Sequence, residues 1–170
     1  GFESETPFDQ VRIIEKSSGN KASIGSGFQI SASGLVASNY HVVADAVKKP
    51  EGYLIEYLAS DGSKGAMRLL AVDVLHDLAL LQHERENAPW LDIYAGDLSK
   101  GTRIFSLGNP HDLGMTVVEG IYNGLVDHSL YEHVLFSGSL NPGMSGGPTI
   151  NREGQVVGVN VSTAGNQISF

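Results

Sequence analysis

Short runs of β-branched and aromatic residues, separated by polar and glycine-containing breaks, recur along the whole chain. Runs of four to eight such residues are typical of β-strands, and many short strands with frequent turns are typical of a barrel or sandwich. The pattern therefore predicts an all-β fold. The predicted strands are Val11–Ile14, Gly27–Ser31, Leu35–Ser38, Tyr53–Leu58, Met67–Val74, Ala79–Leu81, Arg103–Gly108, Thr116–Asp127, Val134–Phe136, Pro148–Ile150 and Val156–Val161.

Three further segments complete the predicted organisation. His41–Val47 has the spacing of a helical turn, and Ile30–Leu35 and Asn151–Gly154 have the composition of tight hairpins. A polar break at Gly96–Gly101 separates two strand-rich halves, residues 8–96 and 97–170. We expect one barrel from each half, with a ligand-binding cleft between the two lobes.

The composition excludes several classes of function. Lys and Arg number 11 against 19 Asp and Glu, and the formal net charge of −8 disfavours nucleic acid as a partner. The absence of cysteine excludes disulfides, thiolate metal sites and a cysteine nucleophile. The sequence contains neither an apolar stretch long enough to cross a membrane nor, in its acidic amino end, a recognisable signal peptide.

The most specific motif is the glycine-rich run Asn141–Pro148, which contains Ser145. A serine between glycines can present its hydroxyl and nearby backbone N–H groups to one point, as acyl transfer requires. Gly143 can adopt a positive φ and bring its N–H towards that point. An ordinary glycine-rich turn between two strands has a similar composition, so this run alone leaves both interpretations open.

His41 and Asp77 are the candidate partners of Ser145. Taken singly, each has a plain structural alternative, since histidines at helix starts are usually structural and aspartates beside strands often cap turns. Ser38 and Asn39 are the candidate caps of the helical turn at His41, and Val42 and Val43 are candidate core residues. Together the three residues follow the order His, Asp, Ser, which is one of the known orders of a serine-protease triad.

Several segments resemble the trypsin-like, chymotrypsin-fold serine proteases, and most closely the bacterial high-temperature-requirement A, or Deg, branch. The resemblance runs from about Val11 to Phe170. Several family motifs that occur in the right order along the chain identify the family far more specifically than any one of them. The similar segments are Gly25–Phe28, Gly34–Val43, His76–Leu81, Leu107–Pro110, Gly120–Ile121, Asn141–Pro148 and Val157–Asn160.

The resemblance implies a two-barrel serine endopeptidase that needs no metal or organic cofactor. His41 would be the general base and later the general acid, Asp77 would hold its tautomer, and Ser145 would attack the scissile carbonyl. The N–H groups of Gly143 and Ser145 would form the oxyanion hole. Activity should rise as the pH passes about 7, because His41 must be neutral to accept a proton.

Partners and location also follow from the resemblance. Unfolded or misfolded proteins and peptides would be the substrates, pairing as extended backbone with Val161–Ala164. The family implies a periplasmic or cell-envelope location and allows a homotrimer formed through aromatic residues such as Phe2 and Phe8. No peptide-binding PDZ domain is present in this sequence, which points to a protease domain alone.

One departure from the family pattern concerns Met144, which stands where the branch usually has Asn. Met144 cannot pair with an amino terminus as the trypsin aspartate does, so activation by that route is not expected. The thioether could pack beneath the serine loop and hold it, or it could let the loop flip. The sequence leaves these two outcomes open.

Three alternative functions compete with proteolysis. The first is a pseudo-protease that binds peptides without turnover, which Met144 leaves open. The second is a metal phosphohydrolase that uses His76 and Asp77 with His41 or His111. The third is acyl transfer from an ester or a non-protein amide. The remaining histidines, His83, His111, His128 and His133, are expected at the surface or in loops.

The substrate-specificity pocket yields a testable prediction. By the same resemblance, Ser139 and Leu140 lie near its floor and Ser162, Thr163 and Ala164 on its wall. Because none of these is acidic, a basic substrate residue would bury an unpaired charge. We expect cleavage after Val, Ala or Leu in a peptide library analysed by mass spectrometry. A profile dominated by Lys or Arg would contradict the assignment.

Overall fold

The computed structural model describes residues 7–108, 115–125, 133–136, 144–161 and 167–169. About half of the described residues lie in strands, in agreement with the predicted all-β, two-barrel chymotrypsin-like fold. None of the helices in these ranges has the length and apolar character that a membrane crossing requires. The boundary between residues 8–96 and 97–170 remains a prediction.

The first half forms one seven-stranded sheet with the order β5-β4-β1-β2-β3-β7-β6. Its neighbouring strands are antiparallel. One helix, α1, follows β3. The elements are β1 Asp9–Glu15, β2 Lys21–Gln29, β3 Leu35–Ser38, α1 Tyr40–Lys48, β4 Tyr53–Leu58, β5 Lys64–Ala66, β6 Arg68–Asp73 and β7 Leu78–Gln82.

Met67 brings the two edges of this sheet together. β5 pairs with β4 at one edge, and β6 pairs with β7 at the other. Met67 alone separates β5 from β6, and its N–H donates to Ile55 O at 2.8 Å. Because the edge strands are continuous in the chain, the sheet curls into a barrel around a buried core.

The second half forms a closed barrel with the order β10-β13-β12-β11-β8-β9. Closure removes unpaired strand edges, which otherwise invite association. The strands are β8 Arg103–Gly108, β9 Thr116–Leu125, β10 His133–Phe136, β11 Pro148–Ile150, β12 Val156–Val161 and β13 Gln167–Ser169.

Side chains from α1 fill the first barrel. Val42 and Val43 are 1% and 0% exposed and join a core cluster with Val11, Ile13 and Leu81. Burying both valines fixes how the first turn of the helix faces the sheet. The predicted core role of these two residues is therefore confirmed.

Phe8 joins the two halves within this chain. Its ring is 6% exposed and belongs to a cluster with Phe28 of β2 and Leu107, Val156 and Val159 of the second barrel. A side chain buried in this way is not available for contacts between subunits, contrary to the role considered for it in a trimer. Phe2 lies outside the described residues.

The sequence pattern missed or shortened three strands. β2 begins at Lys21, six residues before the prediction, and β5 and β13 were not predicted. Lys21–Gly27 and β5 are rich in small and polar residues, so their strand structure comes from pairing with β1 and β4. Cross-strand pairing outweighs weak local propensity in such segments.

His83 lies in a loop directly after β7, one of the two places expected for it, but it is not at the surface, because its side chain is 1% exposed. His83 Nδ1 accepts the N–H of Arg85 at 3.2 Å, and its ring packs against Tyr57 with centroids 5.3 Å apart. Burial, aided by the nearby Arg85 guanidinium, lowers the pKa of His83. His83 is therefore a neutral core residue.

Replacing His83 should make the free energy of unfolding depend less on pH in the acid range. Because folding lowers the pKa of His83, the unfolded chain binds its proton more tightly, and the free energy of unfolding falls below pH 6.5. His83→Asn keeps an acceptor for Arg85 but cannot titrate. We expect urea midpoints of His83→Asn to change less than those of the parent between pH 7 and pH 5. Parallel curves for the two proteins would contradict this.

Candidate active site

The carboxylate of Asp77 holds His41 at two points. Oδ1 accepts the His41 backbone N–H at 2.8 Å, and Oδ2 lies 2.6 Å from His41 Nδ1. The two side chains are partly buried, with exposed fractions of 34% for His41 and 21% for Asp77. A carboxylate at Nδ1 favours the tautomer that carries its proton there and directs the lone pair of Nε2 outward.

Asp77 itself adopts an unusual backbone conformation. Its φ is +54°, in the left-handed region that L-residues rarely occupy. Its carbonyl accepts the N–H of Tyr40 at 3.2 Å and the side-chain amide of Asn39 at 2.9 Å. The residues just before His41 therefore bind the backbone of Asp77, while His41 binds its side chain.

Asn39 is a supporting residue whose role the sequence did not reveal. It occupies the N-cap position of α1, as predicted, but its side chain makes no capping hydrogen bond, and its amide donates to Asp77 O instead. Asn39 is fully buried. Ser38, the other candidate, donates to Ser26 O at 2.7 Å. Both differences arise because partners distant in sequence outcompete the local cap.

Ser145 lies in a tight turn over residues 144–147. Gly147 N–H donates to Met144 O at 3.0 Å, and Gly146, the third residue, has a φ of +88°. These features define a type II turn, which requires a positive φ at that position. Ser145 is 5% exposed. The described part of the glycine-rich run thus forms a turn in which Gly146 is the residue with the positive φ.

A buried polar network supports this turn from the second barrel. Asn160 is fully buried, and its backbone carbonyl accepts Gly146 N–H at 2.9 Å, while its own N–H donates to Gly147 O at 2.8 Å. Its side chain accepts the Thr149 hydroxyl and donates to Leu107 O. Satisfied buried networks of this kind rigidify their surroundings.

Met144 packs beneath the turn. Its side chain is fully buried, and a Cβ placed on Gly108 would lie 2.7 Å from Met144 Cγ. Of the two outcomes that the sequence left open, the described residues therefore show the packed one. Gly143, which precedes Met144, lies outside the described residues.

The elements that carry His41 and Ser145 meet at β2. Ser26 N–H donates to Ser145 O at 2.8 Å. A Cβ placed on Gly25 would lie 3.1 Å from Ser145 O and 2.5 Å from a methyl group of Val42, the residue after His41. A side chain at position 25 would therefore force helix α1 and the serine turn apart.

The other predicted site residues fall outside the described ranges. These are Gly143 of the oxyanion hole and Ser139, Leu140, Ser162, Thr163 and Ala164 of the specificity pocket. A cavity of about 740 Å³ between the two halves is lined by Phe28, Leu78, Tyr122 and Val157, and by none of His41, Asp77 or Ser145.

His76 and Asp77, the candidate metal ligands, have different partners in the structure. His76 Nδ1 lies 2.7 Å from Asp73 Oδ2, and Asp77 faces His41 instead. Among the described residues, no group of three His, Cys, Asp or Glu side chains could hold a metal ion. His111 lies outside those residues.

Gly146→Ala should destabilise the protein more than a matched glycine substitution. A Cβ at Gly146 would collide with Ser26 O and lie 2.6 Å from Ser38 Oγ. Gly154 has a similar φ of +81° but nothing within 4 Å. We expect Gly154→Ala to lower the unfolding free energy by about 1–2 kcal/mol and Gly146→Ala by roughly 2–5 kcal/mol. Equal losses in urea titrations would refute the close contact.

Comparisons with known proteins agree with this geometry. Residues 25–159 match the family described as Trypsin-like peptidase domain. The chain is 35% identical over 155 residues to the Chlamydia muridarum protein named "Probable periplasmic serine endoprotease DegP-like", covering 86% of this chain and 30% of that protein. A protein of the same name from Ectopseudomonas mendocina is 36% identical over 143 residues, covering 81% and 29%. The chain thus spans about 30% of these relatives' length.

Solved structures show the same fold. The crystal structure of Deg5 superposes with a TM-score of 0.79 at 25% identity, covering 96% of this chain and 82% of that one. The HtrA-type protease AlgW with a tripeptide gives a TM-score of 0.78 at 23% identity, covering 96% and 56%. The chain contains a trypsin-like peptidase domain and belongs to the trypsin-like serine proteases of the HtrA/Deg branch.

Proposed function

We propose that this chain is a serine endopeptidase that cleaves peptide bonds through an acyl-enzyme, with His41, Asp77 and Ser145 as its triad. The observation that carries the proposal is the two-point contact between the Asp77 carboxylate and His41. A carboxylate held in this way fixes both the ring orientation and the tautomer of an imidazole, which a general base requires.

The first half-reaction forms the acyl-enzyme. As Ser145 Oγ bonds to the scissile carbonyl carbon, its proton passes to His41 Nε2, and the Asp77 carboxylate stabilises the imidazolium that results. The N–H groups of Gly143 and Ser145 are assigned to the oxyanion. The leaving amine then takes the proton from His41 as the C–N bond breaks.

Water completes the cycle. It loses a proton to His41 Nε2 while its oxygen attacks the acyl carbon, and the proton returns to Ser145 Oγ as the ester bond breaks. Every proton is carried by His41, so the steps assign no role to a metal or organic cofactor. The buried network at Asn160 supports the proposal by making the serine turn rigid.

The wider assignments follow the family. We assign extended segments of unfolded or misfolded proteins as substrates and a periplasmic or envelope location, since the Chlamydia relative is named a periplasmic endoprotease. Residues 8–96 would supply His41 and Asp77, and residues 97–170 would supply the serine and the oxyanion hole. A homotrimer is proposed from the same resemblance, with Phe8 excluded from the contact by its burial.

Substitutions in the triad test this function. Ser145→Ala should lower kcat for casein by a factor on the order of 10⁶. Asp77→Asn should lower it roughly 10⁴-fold, because the amide favours the wrong tautomer. A fluorophosphonate probe should label Ser145 in the parent. Ser33→Ala, which alters an exposed hairpin hydroxyl, is the control and should match the parent in both assays.

Two results would overturn the assignment. Casein turnover that survives Ser145→Ala would place the chemistry elsewhere. A folded parent with neither labelling nor turnover would identify a peptide-binding pseudo-protease instead.

A further inference from the structure

Asp73 and His76 form a two-point carboxylate–histidine contact, the first fork, directly before Asp77 in the chain. Asp73 Oδ1 accepts the backbone N–H of His76 at 3.1 Å, and Oδ2 lies 2.7 Å from His76 Nδ1. Asp77 contacts His41 in the same two-point manner. Two carboxylate–histidine forks therefore follow each other in the sequence. His76 of the first fork is the residue directly before Asp77, which supplies the carboxylate of the second.

The first fork joins the end of β6 to the four-residue turn that follows it. Asp73 and Leu78 are the last paired residues of β6 and β7, so the turn between them consists of residues 74–77. Asp77 is its final residue and has the left-handed φ of +54°. Such a conformation is unfavourable in a non-glycine residue and persists where its surroundings hold it.

The internal bond of this turn is weak by comparison. Asp77 N–H reaches Val74 O at 3.3 Å, close to the limit for a hydrogen bond. The Asp73 carboxylate instead holds the backbone N–H and the ring of His76, which immediately precedes Asp77. These hydrogen bonds also lower the pKa of Asp73, so the carboxylate is ionised at neutral pH. A charged acceptor makes both bonds stronger.

We propose that Asp73 and His76 are positioning residues that hold Asp77 in the conformation from which it contacts His41. The assignment rests on the proposed triad, in which Asp77 orients the base. Neither Asp73 nor His76 is assigned contact with substrate. Loss of the first fork lets the turn relax and moves the Asp77 carboxylate away from His41 Nδ1.

Substitutions at His76 separate this role from general turn stability. His76→Phe removes the donor to Asp73, whereas His76→Asn restores one, because the asparagine amide nitrogen occupies nearly the place of Nδ1. Asp73→Ala removes both bonds. The matched control is Asp61→Ala, because Asp61 also accepts a backbone N–H and a side-chain hydroxyl, both from Ser63, in another hairpin turn.

The kinetic readout is kcat, calculated from the concentration of sites that react with the fluorophosphonate. Misfolded protein does not react with the probe and is therefore not counted. We expect His76→Phe and Asp73→Ala to lower it roughly 10- to 100-fold with little change in KM, as displaced catalytic groups do. The acid limb of the activity profile should shift to lower pH, because a displaced carboxylate no longer stabilises the imidazolium. His76→Asn should recover most of the rate, and Asp61→Ala should match the parent.

A second readout does not need turnover. The proton between His41 and Asp77 should give a downfield NMR resonance in the parent, identified by its absence in His41→Ala. We expect His76→Phe to shift or broaden this signal and His76→Asn to retain it. If the parent proves inactive but this pattern holds, the triad function fails while the positioning role stands.

The proposal is overturned by either of two results. One is an unchanged NMR signal in His76→Phe and Asp73→Ala. The other is a loss of rate without movement of the acid limb and without recovery in His76→Asn, because a merely structural role predicts that pattern.

Discussion

The geometry of the candidate site depends on one residue, Asp77, which is bound through both its carboxylate and its backbone. The carboxylate holds the N–H and ring of His41, and the carbonyl accepts Tyr40 and Asn39. The same contacts fix the start of helix α1 against the turn after β6. Because the left-handed conformation of Asp77 is unfavourable alone, these hydrogen bonds must stabilise the turn and the site together.

The serine turn is built on a different principle. In its described part it is a type II turn at Gly146, bonded through backbone groups to Asn160 on one side and to Ser26 of the first barrel on the other. Glycines at positions 25 and 146 allow the backbones to approach closely. Beside the serine turn, the two lobes therefore meet through backbone contacts, which a side chain added at position 25 or 146 would disrupt.

Much of this arrangement is predictable from local sequence. Alternating apolar runs gave most strands, and the serine, histidine and aspartate segments gave the family and the candidate triad. Asn39 and Asn160 were not identified as supports, because their partners are carbonyl groups far away in sequence. The burial of His83 was missed for a similar reason, since its neighbour Tyr57 lies on β4, far away in sequence. Local patterns point to the candidate reacting groups more readily than to the contacts that hold them.

A crystal structure of the protein after reaction with a fluorophosphonate would test the central claim most directly. The account predicts a covalent bond between phosphorus and Ser145 Oγ, with His41 Nε2 about 3 Å from that oxygen and Asp77 still bound to Nδ1. A probe bonded to another residue, or a His41 ring turned away from Ser145 with Asp77 unpaired, would contradict it.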